Sequence, residues 1–322
     1  MTMGYQAGYL GFSIITPCFN RVSFIRDAVE SVKQQQYPNV QHIIIDGGST
    51  DGTIDALRAH PDLQVISEPD RGLYDALNKG LKIATGDIIG WLNSDDMYNI
   101  GAFDLVAESF YSNHPIKAVF CSAEVVEEGD IHKRIKIQSI KIGEIIDRAT
   151  LDSFSMNACF FRREVFNIVG NFNLAYPVTA DRDFMFRFGL SNLPYLSLEN
   201  CAYTYRSHGN SITFGDNYQT QCQANIDEMN MALNYYQNLN TAKYRNICRK
   251  WHTRASGDAF ILSTINRDYV LAKQMLRSGI KQNPLWLVAL SKLLFIQLGR
   301  KYASPELRSK FSWLRRYLTH SI

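Results

Sequence analysis

The sequence predicts an α/β protein, a mostly parallel sheet wound with helices and followed by a C-terminal helical appendage. Three observations carry that expectation. From Ser13 onward, short β-branched runs alternate with stretches of helical apolar spacing, the texture of a wound α/β domain. After about residue 216 the strand signal stops and only helical spacing remains. With 46% hydrophobic and 20% charged residues, the 322-residue chain can bury a large core, which excludes a disordered or collagen-like protein.

Phe12 to Thr16 reads as the first buried strand. Ile25, Ala28, Val29 and Val32 follow at i, i+3, i+4 and i+7, an amphipathic helix that should stop before Pro38. Val40 to Ile45, Leu63 to Ser67 and Asp87 to Leu92 are the next strands, with helices at Thr53 to Ala59 and Leu73 to Ala84 between them. Ala118 to Val126 reads as a strand, Gly143 to Arg148 as part of a helix and Tyr195 to Tyr205 as an extended stretch. Gln219 to Leu239, Ala242 to Trp251, Ala255 to Ile265, Tyr269 to Ser278 and Pro284 to Leu298 read as helices. The expected division is a catalytic domain over 1–216 and a helical region over 217–322.

The longest apolar stretch, Leu285 to Leu298, is short of the ~20 residues a spanning helix needs and is interrupted by Ser291, Lys292 and Gln297. Met1 to Gly11 has no Lys or Arg and no long apolar run, so a secretory signal is not expected and a cytoplasmic location is. Six Cys, at 18, 121, 159, 201, 222 and 248, show no C-x-x-C pair and read as buried thiols. Formal net charge is +3, but residues 281–322 carry eight cations against Glu306 alone, a basic end on a mildly acidic body.

Parallel sheets bind ligands at the carboxyl ends of their strands, so the polar residues after each strand are the candidates. Thr16-Pro17-Cys18-Phe19-Asn20-Arg21 leaves the first strand through a rigid proline turn, and a helix N-terminus after it favours anions. Asp46 ends a run of three isoleucines before Gly47-Gly48-Ser49-Thr50-Asp51 and could accept a hydrogen bond from a nucleobase or a ribose. Arg71, just before a helix, could reach a diphosphate. The neighbouring acids Asp95 and Asp96, after Trp91-Leu92-Asn93-Ser94, repel one another at the end of a buried strand unless a cation neutralises them. Mg²⁺ or Mn²⁺, held by one or two carboxylates with water and phosphates in the other positions, fits that pair.

In order, TPCFNR, IDGGSTDGT, DRGLYDALNKG, ATGDIIGWLNSDD, ADRDFMFR and YRSHGNS resemble family-two glycosyltransferases, inverting enzymes of the GT-A fold with a Rossmann-like nucleotide-sugar site. The resemblance covers roughly residues 12 to 213. It implies a metal-dependent transfer of sugar from a nucleotide diphosphate, usually UDP, to a saccharide or lipid-linked saccharide hydroxyl, in polysaccharide or cell-envelope assembly. It implies a nucleotide-sugar set of Thr16, Pro17, Asn20, Asp46, Arg71 and Asp95, a metal set of Asp95, Asp96 and His208, and Asp181 as the catalytic base. Asn93 stands where the family's acidic string usually begins with an Asp. Asn157 to Arg163 resembles an acceptor-side strand and loop, with Arg162-Arg163 equally readable as a solvated face. A nucleotidylyltransferase would need a basic Gly-rich loop after the first strand, and a dehydrogenase a G-x-G-x-x-G, neither of which is present; a non-catalytic nucleotide-sugar-binding or scaffold protein is the other alternative.

The basic end has two readings. Leu285, Trp286, Val288, Ala289, Leu293 and Ile296 could line one helix side that lies in an anionic membrane interface at the inner face, or the same stripe could pack on the catalytic domain. No RNA-binding interleaving of basic and aromatic residues occurs, and no nucleic-acid partner is expected.

Overall fold

The computed structural model of the chain describes residues 9–113, 115–127, 130–141, 143–151, 154–208 and 217–302. The chain forms two compact units, one within the spans Met1–Ile145 and Phe154–Gly215, the other within Ile146–Ser153 and Asp216–Ile322.

The first unit opens with β1 (Phe12–Cys18), α1 (Ile25–Lys33), β2 (Val40–Asp46), α2 (Thr53–Leu57), β3 (Gln64–Ser67), α3 (Leu73–Ile83) and β4 (Ile88–Trp91). These pair in parallel as β3-β2-β1-β4, the arrangement the apolar runs predict. Every residue of β1 and β4 is buried, which is why their sequences are continuous apolar runs rather than alternations. The predicted stripe Ile25, Ala28, Val29 and Val32 is the buried face of α1.

The sheet then continues through the two strands predicted near Ala118 and Tyr195 and through shorter ones that spacing does not reveal. β5 (Met97–Tyr98), α4 (Ala102–Ser112), β6 (Ala118–Glu127) and β7 (Asp130–Ile137) follow; α5 (Ile145–Leu151) comes next in the chain, then β8 (Cys159–Arg162), α6 (Val165–Val169), α7 (Ala180–Leu190) and β9 (Tyr195–Ser207). The strand order is β3-β2-β1-β4-β8-β6-β9-β5, with β7 on β6. β8 runs antiparallel to both β4 and β6, while β6 and β9 are parallel. Phe12, Phe103, Phe110, Phe160 and Tyr203 belong to one buried cluster, with Phe12 stacked on Phe103 at 4.8 Å. Arg162 lies over the Phe110 ring and Arg163 Nε donates to Gly86 O. Because Arg162 pairs with Ile88 at the start of β4, this couple sits at the opposite end of the strand from its ligand-facing carboxyl end.

Two close approaches set the fold tightly. A Cβ on Gly80 of α3 would meet Ile15 Cγ2 at 2.4 Å, and one on Gly86 would meet backbone atoms of Phe12 and Ser13 at 2.6 Å. Backbone cannot rotate away as a side chain can.

The second unit holds α5, α8 (Tyr218–Asn238), α9 (Ala242–Ile265), α10 (Tyr269–Gln282) and α11 (Trp286–Tyr302). Asn217 caps α8 by accepting from Thr220 N–H, and Asp268 caps α10 by accepting from Leu271 N–H. Spacing predicts two helices over 242–265, but the structure has one. Arg254, in the middle, is buried and bonded to Glu228 and Asp258, and its Nε donates to Thr150 O, so the polar break in the pattern is an internal anchor and not a turn. That last bond also draws α5 into the helical unit, where the sequence division placed it in 1–216. Trp286, Leu290 and Leu293 of α11 pack in a cluster with Ile261. Leu285 and Val288, expected on the same side, are exposed; Ile296 and the cations from Arg308 to Arg316 lie outside the residues whose side chains are described. Among the described residues, no helix is long and apolar enough to cross a membrane.

Gly86→Ala should destabilise the protein by about 2–4 kcal/mol, because the added methyl has only backbone to displace. A thermal midpoint lowered by less than ~2 °C in differential scanning calorimetry would show that the strand accommodates it.

Candidate active site

The registers of the first four strands bring their carboxyl ends together: Cys18 pairs with Asp46, Asp46 with Ser67, and Ile15 with Trp91. Over that edge lies a cavity of about 410 Å³ lined by Pro17, Arg21, Asp70, Tyr74, Trp91, Asn93, Asp95, Asp96, Phe172, Asp181 and others, a size suited to a small-molecule site.

Asp95 and Asp96 share the loop after β4 but face different partners. Asp96 is 3% exposed. Its Oδ1 accepts from Arg206 N–H at 2.9 Å, and its Oδ2 accepts from the Tyr203 hydroxyl at 2.8 Å and from Asn93 Nδ2 at 3.0 Å. Burial, then the Asp95 charge, pushes its carboxyl pKa up to about 7. Asp95 turns to other partners: its Oδ2 is 3.1 Å from His208 Nε2 and 3.6 Å from Arg21 Nε. The His208 ring stacks on Phe24 of the turn before α1 at 4.6 Å, and Arg206 lies over the other neighbourhood of the same ring while pairing with Asp27.

The predicted metal set therefore divides. Asp95 and His208 meet, whereas both Asp96 oxygens are committed to the floor of the site. Among the described residues no three His, Cys, Asp or Glu side chains converge on one point. Two donors, one carboxylate and one imidazole, still suit a divalent cation that takes its other ligands from water and phosphate oxygens.

Asp181 lies in the first turn of α7 and lines the same cavity as Asp95. Its Oδ1 accepts from Arg182 N–H at 2.9 Å. Burial raises its pKa above the usual carboxylate range, with Arg182 and a hydrogen bond from Tyr74 acting the other way. The Tyr74 hydroxyl also reaches Val178 O at 3.3 Å, and burial pushes that phenol well up. Asp183, two residues on, is buried and paired with Arg187, a helix brace and not a cavity group.

The predicted nucleotide set fares unevenly. Pro17 lines the cavity. Thr16 is fully buried, its hydroxyl 2.9 Å from His42 Nε2, because it faces the sheet interior from inside β1. Asn20, at φ 51, ties two loops: its N–H donates to Ser49 Oγ, and its Oδ1 accepts from Thr50 N–H. Asp46 is also fully buried. Its Oδ2 accepts from Gly48 N–H, Ser49 N–H and Ser67 Oγ, and its Oδ1 from Ser49 Oγ. Burial alone would raise its pKa, but the Ser49 and Ser67 hydroxyls and the two amides outweigh it and hold it low. Its oxygens close a turn. The Arg71 side chain is 74% exposed and bonded to Asp75, outside the cavity lining.

Arg21, Tyr74, Trp91, Asn157 and Phe172 line the cavity without having been singled out as ligand residues. Their signal in sequence is only position: Arg21 follows the first strand's turn, and Trp91 ends the fourth strand.

Residues 13–169 match the model of glycosyl transferase family 2. A PGL/p-HBAD biosynthesis glycosyltransferase of Mycobacterium bovis is 32% identical over 186 residues, 55% of this chain and 68% of the relative. A putative teichuronic acid biosynthesis glycosyltransferase of Bacillus subtilis is 38% identical over 27% of this chain and 36% of its own length. Among solved structures, Staphylococcus aureus TarS 1–349 in complex with UDP-GlcNAc has TM-score 0.60 at 17% identity, covering 97% of this chain and 91% of that one. A mannosyltransferase from Pyrobaculum calidifontis in complex with GDP-Man and Mn²⁺ has TM-score 0.59 at 16% identity, covering 96% and 85%. At those identities the likeness establishes the fold, which is GT-A.

Asp96→Ala should lower stability by about 2–3 kcal/mol, since it strands the Tyr203 hydroxyl and the Arg206 N–H in a buried floor. Asp95→Ala loses the single 3.1 Å contact with His208 and the looser one with Arg21 and should cost less, about 1 kcal/mol. Equal midpoints for the two variants would contradict the division of roles.

Proposed function

Because the chain belongs to glycosyl transferase family 2 and is a glycosyltransferase, we propose that it moves a hexosyl or N-acetylhexosaminyl group from a nucleotide diphosphate, UDP first among them, to a saccharide or lipid-linked saccharide hydroxyl. The observation that carries this reading is the single cavity lined by both Asp95 and Asp181. Relatives named for PGL/p-HBAD and teichuronic acid biosynthesis support an envelope glycan as the acceptor.

Inverting transfer is one in-line displacement, so it needs a base on the acceptor and charge neutralisation on the leaving diphosphate. Asp181 is the base. Its raised pKa makes the ionised carboxylate a stronger proton acceptor than an exposed one, and the Arg182 N–H and Tyr74 hydroxyl hold it in place. Asp95 and His208 would hold a divalent cation, Mn²⁺ or Mg²⁺, which neutralises charge on the diphosphate. Arg21, lining the same wall 3.6 Å from Asp95, adds a planar cation for phosphate oxygens. Trp91, Tyr74 and Phe172 give apolar faces against which sugar or base can lie, with Trp91 held by Asn157 Oδ1 accepting from its Nε1 at 2.9 Å.

Asp181→Asn should cut transfer by roughly 10²–10⁴-fold while leaving donor affinity unchanged; turnover near wild type would remove Asp181 as base. Asp95→Ala should weaken Mn²⁺-dependent UDP-sugar binding in calorimetry at least tenfold, and unchanged affinity would remove the cation site.

The pH dependence follows from Asp181. A carboxyl whose pKa is raised takes up its proton at a higher pH, so kcat/KM should fall on acidification above the ordinary carboxylate range. Tyr74→Phe deletes a hydrogen bond that lowers this pKa, and should move the acid limb to still higher pH. A limb that stays fixed in the variant would show that another group titrates.

A further inference from the structure

We propose that the outward faces of α10 and α11 form a docking surface for an anionic lipid bilayer. On α10 the buried side is Ala272, Met275 and Gly279. The opposite side presents Val270, Lys273, Arg277 and Ile280, spaced i, i+3, i+7 and i+10, with Lys281 adjoining, all exposed. This is one stripe in which cationic side chains lie between aliphatic ones. On α11, Trp286, Ala289, Leu290 and Leu293 turn inward, while Leu287, Val288 and Leu294 are 57%, 54% and 38% exposed, and Leu285 just before them is 67% exposed. The two helices are close-packed at their joint, since a Cβ on Gly279 would fall 2.2 Å from the Trp286 ring.

An apolar face usually signals that something covers it, and charge identifies the cover here. From Tyr269 to Tyr302 the sequence contains no Asp or Glu, so the hairpin supplies cations with no counter-charge of its own. A second copy meeting this face across a two-fold axis would set Lys273, Arg277 and Lys281 near their own equivalents. A flat anionic plane answers both the charge and the aliphatic side chains, which can enter the headgroup boundary while the ammonium and guanidinium groups stay at phosphate level. No described helix can span a bilayer, so the contact is interfacial.

The test is flotation of the full chain with phosphatidylglycerol–phosphatidylcholine vesicles and with phosphatidylcholine vesicles alone, for wild type and for the triple variant Lys273→Gln, Arg277→Gln, Lys281→Gln. Wild type should float with the anionic vesicles and stay behind with the neutral ones. The triple variant should partition on the order of a hundredfold more weakly, with an unchanged melt and unchanged hydrolysis of soluble donor. Leu287→Ser with Val288→Ser should also weaken flotation, separating insertion from charge attraction alone. The proposal is overturned if wild type does not float with anionic vesicles, if it floats equally with neutral ones, or if the triple variant floats like wild type. It is overturned as well if light scattering finds a dimer that the triple variant loses, because the face is then a protein interface. Donor hydrolysis reads the cavity and flotation reads the hairpin, so either proposal can fail alone.

Discussion

The buried carboxylate of Asp96 is the point from which the cleft is organised, because it fastens two strands that are distant in sequence. One oxygen takes the Arg206 N–H, at the end of β9; the other takes the Tyr203 hydroxyl and the Asn93 amide of the loop after β4. Those bonds fix the end of β9 over the loop, and His208 follows directly. Asp95 then meets His208 from a backbone that Asp96 holds still. Removing the anchor leaves several groups unsatisfied in a place that water does not reach, where an unmade bond costs more than a made one contributes.

The floor extends beyond that carboxylate. Tyr203 receives a hydrogen bond from Asn157 Nδ2, Asn157 receives one from Trp91 Nε1, and Tyr98 donates to Trp91 O. Each member is satisfied, and a fully satisfied buried network gives rigidity where a half-satisfied one would cost stability. A wall built this way presents Trp91 to the cavity in one orientation.

Much of this was legible in the sequence where one local signal sufficed. The four parallel strands read as continuous apolar runs because both faces are covered, and the α1 stripe read directly as its buried face. Asp95 and Asp181, picked out from the sequence, both line the cavity, one from the loop after an apolar strand and the other from the first turn of α7. The orientation of the other acids was not legible. Ser67, which helps to saturate Asp46, lies on a different strand, and Tyr203 and Arg206, which saturate Asp96, come from β9, which pairs with β5 directly after Asp96 but lies more than a hundred residues on in the chain. Thr16 and Asn20 looked like ligand groups by type and position, yet their partners, His42 and the Ser49–Thr50 turn, are contacts made only by folding. The strand β5 escaped for a simpler reason: two residues are too few to show a period.

Carboxylates in this unit sort by how many donors already surround them. Asp46 has four hydrogen bonds from neighbouring hydroxyls and amides and is held ionised by them, which makes it a poor base and ties it to the turn. Asp96 has three, and its burial sets it to carry a proton more readily, while the same bonds tie both its oxygens to the cavity floor. Asp181 has one amide and one phenol, and burial without saturation lifts its proton affinity, the condition for accepting a proton from an alcohol. Asp95 has the His208 imidazole at 3.1 Å and the Arg21 guanidinium at 3.6 Å, both on one oxygen. Four acids of identical intrinsic chemistry thus differ through their burial and the groups the fold sets beside them: Asp46 locks a turn, Asp96 anchors the floor, and Asp181 and Asp95 line the cavity.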